Sequence, residues 1–350
     1  MRHTARYWNR RNRALLLENI EMYISAGLTL QRALHVVVPT FSVKQARAID
    51  AIQTHVEQGH LLSAGLRDHI GLSPALAGLI EQGERSGSLP ASLSLARAMI
   101  EREDVLIKTC ISSLTYPIVI ALFACVLTFG LMRGVMPQII PLLKSLQVTL
   151  PLITQIVMYM SEHVIDYGFY VCCVICVSIF VSIFLYRKSA LYKLCCHVCI
   201  MSIPLVGSLF RQYSLSLMMR SLGSLITSGL DVSKAYAFAI DRIPLLPLRN
   251  SFSKNITAIS QGTSLGSIFQ MVKHIPSYIV PLISAGETSG TLGISLVRAA
   301  DIIDRDIEHA LKRITSLIEP VMMVGMGCII GTIALSIMMP IYDVSKTLQH

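Results

Sequence analysis

Charged side chains are scarce in this sequence of 350 residues. Asp, Glu, Lys and Arg make up 15% of it, whereas a soluble protein usually carries about 25%. Hydrophobic residues account for 53% and the mean hydropathy is +0.60. This shortage of charge argues against an ordinary soluble domain and indicates a chain that is partly embedded in lipid.

Sequence motifs for catalysis are also missing. The dipeptide Gly-Lys does not occur, which excludes a standard P-loop, and there is no H-E-x-x-H. Residues 262–266 fit the G-x-S-x-G pattern of serine hydrolases, but that elbow requires a strand before Ser264 and no strand-like alternation precedes it. The pattern is better explained as a turn that starts a helix. We therefore expect a non-enzymatic protein without catalytic residues.

Metal ligands and buried charges are few. Cys195, Cys196 and Cys199 surround His197, a spacing that could bind zinc, but no second ligand pair of suitable spacing occurs. We expect no cofactor and no metal. In the long apolar runs 110–136, 168–186 and 317–342, the only charged residues are Arg133 and Glu319. Both lie at the ends of those runs, which argues against an ion or solute carrier.

What the chain does contain is an internal repeat, the feature that decides its architecture. The run L-I-E-Q-G-E-R-S-G-S-L at residues 79–89 returns 203 residues later as L-I-S-A-G-E-T-S-G-T-L at residues 282–292. The matched residues of this repeated turn are Gly83, Glu84, Ser86, Gly87 and Leu89 with Gly286, Glu287, Ser289, Gly290 and Leu292. The same spacing relates Pro117 to Pro320 and residues 100–103 to 303–306, so the repeat is a duplicated module.

Each module is predicted to be a bundle of about six short helices. No strand-period run interrupts either copy. Gly27 followed by Thr29, and Gly229 followed by Asp231, are typical of a helix stop and a capped restart.

The acidic residues of the repeated turn allow two interpretations. Glu84 and Glu287 would stabilise exposed N–H groups at the start of the following helix, near Leu89 and Leu292. Alternatively, they would contact a cytoplasmic partner or a divalent cation.

Three apolar runs are long enough to cross about 30 Å of hydrocarbon. They divide the chain into a first helical domain (1–109), a first span (110–136), a connector (137–167), a second span (168–186), a second helical domain (187–316), a third span (317–342) and a tail (343–350). Pro117 and Pro320 would either kink a continuous helix or start a new one. The fold class expected is an all-α membrane protein.

The distribution of basic residues sets the orientation. The net charge is +9 with a pI near 9.1, which would suggest nucleic acid in a soluble protein but marks cytoplasmic segments in a membrane protein. Residues 1–13 and the segment after the second span are basic, whereas the connector contains Lys144 as its only Lys or Arg. We expect the N-terminus and both modules in the cytoplasm and the C-terminus in the periplasm.

These features resemble the F-type (GspF/PilC-like) inner-membrane platform family of bacterial type II secretion and type IV pilus assembly. The resemblance is carried by the G-E-x-S-G-x-L turns, the prolines at the span entries, and a connector segment, Leu150, Pro151 and Thr154, similar to the L-P-x-x-T of the family. It covers about residues 14–342. The short N-terminus is more similar to the compact type IVb pilus branch.

The resemblance implies an inner-membrane platform for type IV pilus biogenesis. Its implied partners are a cytoplasmic assembly ATPase, pilin or pseudopilin subunits, other inner-membrane assembly proteins and further copies of the chain, with no nucleic acid. The equivalent component of a type II secretion system is the alternative. A membrane-bound hydrolase using Ser264 and a transporter are the competing classes.

Overall fold

The computed structural model describes residues 7–135, 137–138, 141, 152–273 and 275–347, and in these ranges the chain forms helices and no strand. The first half contains α1 (Arg10–Ser25), α2 (Leu30–Val37), α3 (Val43–Glu57), α4 (Leu62–Ile70), α5 (Pro74–Ser86) and α6 (Leu89–Gly130). A 3-10 turn, Val38–Thr40, follows α2, and a π-helical turn, Leu131–Val135, follows α6.

Helices joined by short turns also form the described residues of the second half. It contains α7 (Leu152–Lys188), α8 (Ala190–Ser202), α9 (Pro204–Thr227), α10 (Val232–Ile240), α11 (Leu246–Ser253), α12 (Ile256–Ser260), α13 (Leu265–Met271), α14 (Ile279–Thr288) and α15 (Leu292–Thr347). The all-α fold class expected from the sequence is confirmed.

The chain divides into two compact units. One consists of Met1–Thr109 with Leu194–His309, and the other of Cys110–Lys193 with Ala310–His350. Both copies of the duplicated module therefore contribute to a single unit, called here the helical body.

Equivalent helices begin at equivalent positions. The starts of α3, α4 and α6 lie 203 residues before those of α11, α13 and α15. The capped turn before α2 and α10 is repeated at a spacing of 202, so the second copy has one extra residue after α10. Thr29 accepts a hydrogen bond from the N–H of Arg32, and Asp231 accepts from Ser233 and Lys234, which confirms both as N-caps.

One helix differs between the copies. α3 is continuous from Val43 to Glu57. The matching residues of the second copy form two shorter helices, α11 and α12, that are separated at Lys254 and Asn255.

The core of the helical body is built mainly from aliphatic side chains of both copies. Positions matched by the repeat are buried in each, with larger residues in the second: Leu66 and Ile49 of the first copy correspond to Phe269 and Phe252. The copies contact each other where α5 packs against α9 and α10. A Cβ added at Gly78 would lie 2.8 Å from the ring of Phe238, so this contact depends on a glycine in α5.

Two helices are long and apolar enough to cross a membrane, Leu89–Gly134 and Leu292–Ser336, as judged over the described residues. Only 6% of the most apolar window of each is buried. Pro117 lies inside α6 and Pro320 inside α15, so each helix continues through its proline. In the unit formed by residues 110–193 and 310–350, the hydroxyl of Thr315 in α15 donates a hydrogen bond to the carbonyl oxygen of Ser113 in α6, at 3.2 Å.

The third predicted span, residues 168–186, lies within α7. Within it, Cys176–Tyr186 is an apolar helical stretch of the described residues. The bent pair Leu191–Ser202 and Leu205–Thr227 has the composition of a span, but Leu215, Met218 and Leu222 are buried in the helical body. The three-span arrangement therefore stays a prediction.

Candidate functional site

The acidic residue of each repeated turn caps the helix before its own: Glu84 of α5 caps α4, and Glu287 of α14 caps α13. Glu84 lies in α5, and its two carboxylate oxygens accept hydrogen bonds from the backbone N–H groups of Leu62 (2.5 Å) and Ser63 (3.0 Å) in the first turn of α4. Glu287 does the same at the start of α13, where Leu265 and Gly266 donate at 2.9 and 3.3 Å. The carboxylates therefore satisfy orphan N–H groups and complement the helix dipole, as one interpretation held, but at the preceding helix rather than the following one.

The first glycine of the turn allows two helices to come close. A Cβ added at Gly83 would lie 2.0 Å from the hydroxyl oxygen of Ser92 in α6. In the second copy, a Cβ at Gly286 would lie 2.3 Å from that of Ser295 in α15. Both serines are buried. The crossing of the last two helices of each module therefore requires a residue without a side chain.

The second glycine ends the helix. Gly87 and Gly290 have φ angles of +73° and +70°, which glycine adopts without strain. The N–H of Ser88 then donates to the carbonyl of Gly83, and that of Thr291 to Gly286, the hydrogen bond of a Schellman motif.

The remaining residues of the turn complete this arrangement. Hydroxyls pair across the turn at 2.7 Å, Ser86 with Ser88 and Ser289 with Thr291. Leu89 and Leu292 are the first residues of α6 and α15. Each residue of the repeated turn thus has a structural role within the chain. A contact of this turn with a partner stays a prediction.

A charged cluster joins the two copies. Glu103 of α6 accepts from Arg10 at 3.2 Å and from Tyr213 at 3.5 Å, and it forms an ion pair with Arg242, which follows α10. Burial raises the pKa of Tyr213 above its usual range, and the neighbouring charge of Glu103 adds to the effect. Nothing in the sequence indicated this cluster, because the partners of Glu103 lie 93 to 139 residues away along the chain.

Within each copy, an ion pair joins the first helix to the last. Glu18 of α1 pairs with Arg97 of α6 at 2.8 Å. At the position of Glu18 the second copy has Arg220, which pairs with Asp301 at 2.9 Å and Asp304 at 2.5 Å in α15. The two copies use the same helices for this contact but with opposite polarity.

The structure also places the residues considered for chemistry. Ser264 is the N-cap of α13 and accepts from the N–H of Ser267, which confirms the helix-entry turn. His197 is buried and its Nδ1 accepts from the N–H of Leu246. No group of three potential metal ligands occurs among the described residues.

The connector and span motifs are described only in part. Leu150 and Pro151 lie outside the described residues, and Thr154 falls in the first turn of α7.

The fold therefore defines an all-helical membrane protein made from a duplicated module. The sequence model of the type II secretion system (T2SS), protein F family matches residues 16–137 and again 218–340. The chain belongs to this family.

The curated relatives are named as proteins of two kinds of machinery, type IV pilus assembly and type II secretion. The type IV pilus assembly protein PilC of Thermus thermophilus is 25% identical over 338 residues, 96% of this chain and 83% of the relative. The type II secretion system protein F of Pseudomonas aeruginosa is 24% identical over 344 residues, 98% and 85% of the two chains. The type IV pilus assembly protein TapC of Aeromonas hydrophila is 25% identical over 338 residues, 94% and 80%.

Proposed function

We propose that this protein is an inner-membrane platform for type IV pilus biogenesis that couples a cytoplasmic assembly ATPase to the insertion of pilin subunits. The observation that carries the proposal is the duplicated module, each copy of which ends in a helix that continues into an apolar run of bilayer length. The same component of a type II secretion system is the second candidate, supported by relatives that have that name.

The apolar helices support contact with other membrane subunits. Most of their surface is uncovered within the described chain, and a Cβ added at Gly130, Gly134, Gly327 or Gly331 would meet nothing within 4 Å. Small residues on an open helix surface allow another helix to approach closely. We propose pilin or pseudopilin helices, other assembly proteins and further copies of this chain as the occupants.

The helical body is the proposed site for the motor. We place it in the cytoplasm, with the C-terminus in the periplasm, because basic residues concentrate in the N-terminal segment and after residue 186. The sequence has no P-loop, and the resemblance to platform proteins implies a separate assembly ATPase. That partner is therefore the proposed source of energy, and the platform itself is proposed to be non-enzymatic.

A deletion strain complemented with the chain tests the function and separates its two forms. We expect surface pili to disappear on deletion and return on complementation, while secretion of folded exoproteins is unchanged. Affinity capture of the intact protein should recover an assembly ATPase and pilin. Loss of secretion with normal pili would favour the type II secretion form, and loss of neither would reject the platform.

A further inference from the structure

α8 and α9 form a fixed elbow in the second copy. The helical axis bends by 115° between Leu191–Ser202 and Leu205–Thr227. The bend is tight, since a Cβ added at Gly207 would lie 2.6 Å from the carbonyl oxygen of Met201. The hydrogen bond from the N–H of Leu246 to His197 holds α8 against the start of α11. The elbow is therefore built into the helical body.

The elbow exposes apolar side chains. Val198, Ile203, Leu205 and Val206 are each 48% to 61% exposed, and Met271 at the end of α13 is 68% exposed. Clustered apolar surface of this kind marks a contact with a protein or a membrane.

Three cations lie beside this surface without carboxylate partners. Arg211, Lys254 and Lys273 line a cavity of about 400 Å³ together with Met201 and Met271, and its lining contains no acidic residue. None of the three cations forms an ion pair within the described part of the chain. The Nε of Arg211 is buried and has no acceptor among those residues.

The cations are specific to the second copy. The repeat places Asn9, Ala51 and Ile70 of the first copy at the positions of Arg211, Lys254 and Lys273. Because the first copy forms the same bundle without them, the three charges are not required by the fold of the module. Lys254 also lies at the break between α11 and α12.

We propose that this elbow is a membrane-surface site that binds the headgroup of an anionic phospholipid. The exposed apolar residues would enter the interface while Arg211, Lys254 and Lys273 bind the phosphate. Charge complementarity favours this occupant, because each basic residue near an anionic leaflet contributes about fivefold to membrane affinity. The chain is already tied to a bilayer by its apolar helices, and only Ser189 separates α7 from α8.

The test compares the full chain in two nanodisc compositions, phosphatidylcholine alone and phosphatidylcholine with about 30% phosphatidylglycerol, an anionic lipid. Amide hydrogen exchange is measured for residues 196–212 and 247–255. We expect exchange in these segments to slow about fivefold or more with the anionic lipid. The protection should disappear in the variant Arg211→Gln, Lys254→Gln, Lys273→Gln.

A matched variant controls for the loss of three charges. Arg32→Gln, Arg47→Gln, Lys234→Gln removes exposed cations that have no ion pair in the described chain, and it should keep the protection. Unaltered exchange of α4 in both variants shows that the body is folded, and the single variant Lys254→Gln gives a milder test at an exposed position.

Four results would overturn the proposal. Equal exchange in the two nanodiscs would show that the elbow does not bind anionic lipid. Equal loss of protection in the control variant would show that the effect depends on net charge rather than on these three cations. If inorganic phosphate at constant ionic strength reproduced the protection in phosphatidylcholine alone, the site would bind a free anion rather than a headgroup. Protection that increased with the number of chains per nanodisc would identify a second copy as the occupant.

Discussion

At each repeated turn, a glutamate binds two backbone donors that lie 21 and 22 residues before it. The repeat matches Glu84 with Glu287. Because a carboxylate is attracted to the positive end of a helix dipole, the sequence predicted that each side chain stabilises a helix N-terminus. Which N-terminus they bind depends on how α4 packs beside α5, and no local signal in the sequence contains that information.

Removing the charge of Glu84 should weaken α4. In Glu84→Gln, one amide oxygen replaces two charged acceptors, so we expect a loss of about 2 kcal/mol of local stability. Faster amide exchange in residues 62–70 would show it, and Glu287→Gln should act only on residues 265–271. Glu81→Gln is the control, because that carboxylate pairs with exposed Arg85; equal effects from both positions would contradict the capping role.

Adding one methyl group at Gly83 should also be costly. The new Cβ would overlap Ser92, and overpacking of this kind costs about 1–3 kcal/mol. Thermal unfolding of the purified chain should show the loss for Gly83→Ala and partial recovery when Ser92→Gly is added. Gly325→Ala, inside α15 where a Cβ meets nothing within 4 Å, should cause no loss of stability. If Ser92→Gly restores nothing, the close crossing is not the reason for the glycine.

Among the helices, α6 and α15 are the elements whose sequence was most informative. Their start at Leu89 and Leu292, their apolar runs and their prolines follow from composition and from the repeat. The break between α11 and α12 was not predictable, because residues 246–260 contain no glycine and their only proline lies in the first turn of α11. The salt bridges of Glu103 were missed because its partners, Arg10 and Arg242, lie 93 and 139 residues away along the chain.

The prolines of α6 and α15 give a prediction about motion. A proline removes one helical hydrogen bond and allows a bend, so Pro117 and Pro320 are the proposed hinges for transmitting motor movement. We expect Pro117→Ala and Pro320→Ala to reduce pilus assembly strongly at unchanged protein level, as counted by electron microscopy. Pro90→Ala, in the first turn of α6 where proline is tolerated, should assemble normally. Full assembly in the hinge variants would reject the role.

At the scale of the whole molecule, both copies of the module belong to one compact unit, although residues 110–193 separate them in the sequence. Because two copies that share a unit cannot be separated by a bilayer, we expect both to lie on the same side of the membrane. The positive charge of both segments leads to the same expectation.

Reporter fusions test this arrangement. Alkaline phosphatase, which is active only in the periplasm, should be inactive when fused after residue 109 or 262 and active after residue 350. A cytoplasmic reporter at the same three positions is the reciprocal control. Activity of opposite kinds at residues 109 and 262 would place the copies in different compartments and would contradict the platform.

The reversed polarity of the ion pairs in the two copies bears on how a duplicated chain avoids misassembly. If the last helices were exchanged between copies, Glu18 would face the aspartates of α15 and Arg220 would face Arg97. Like charges would then meet at both crossings, with Arg220 and Asp304 largely buried, so each exchanged pairing would be strongly disfavoured. Two halves that share one ancestral shape can in this way fold beside each other and still recognise their own segments.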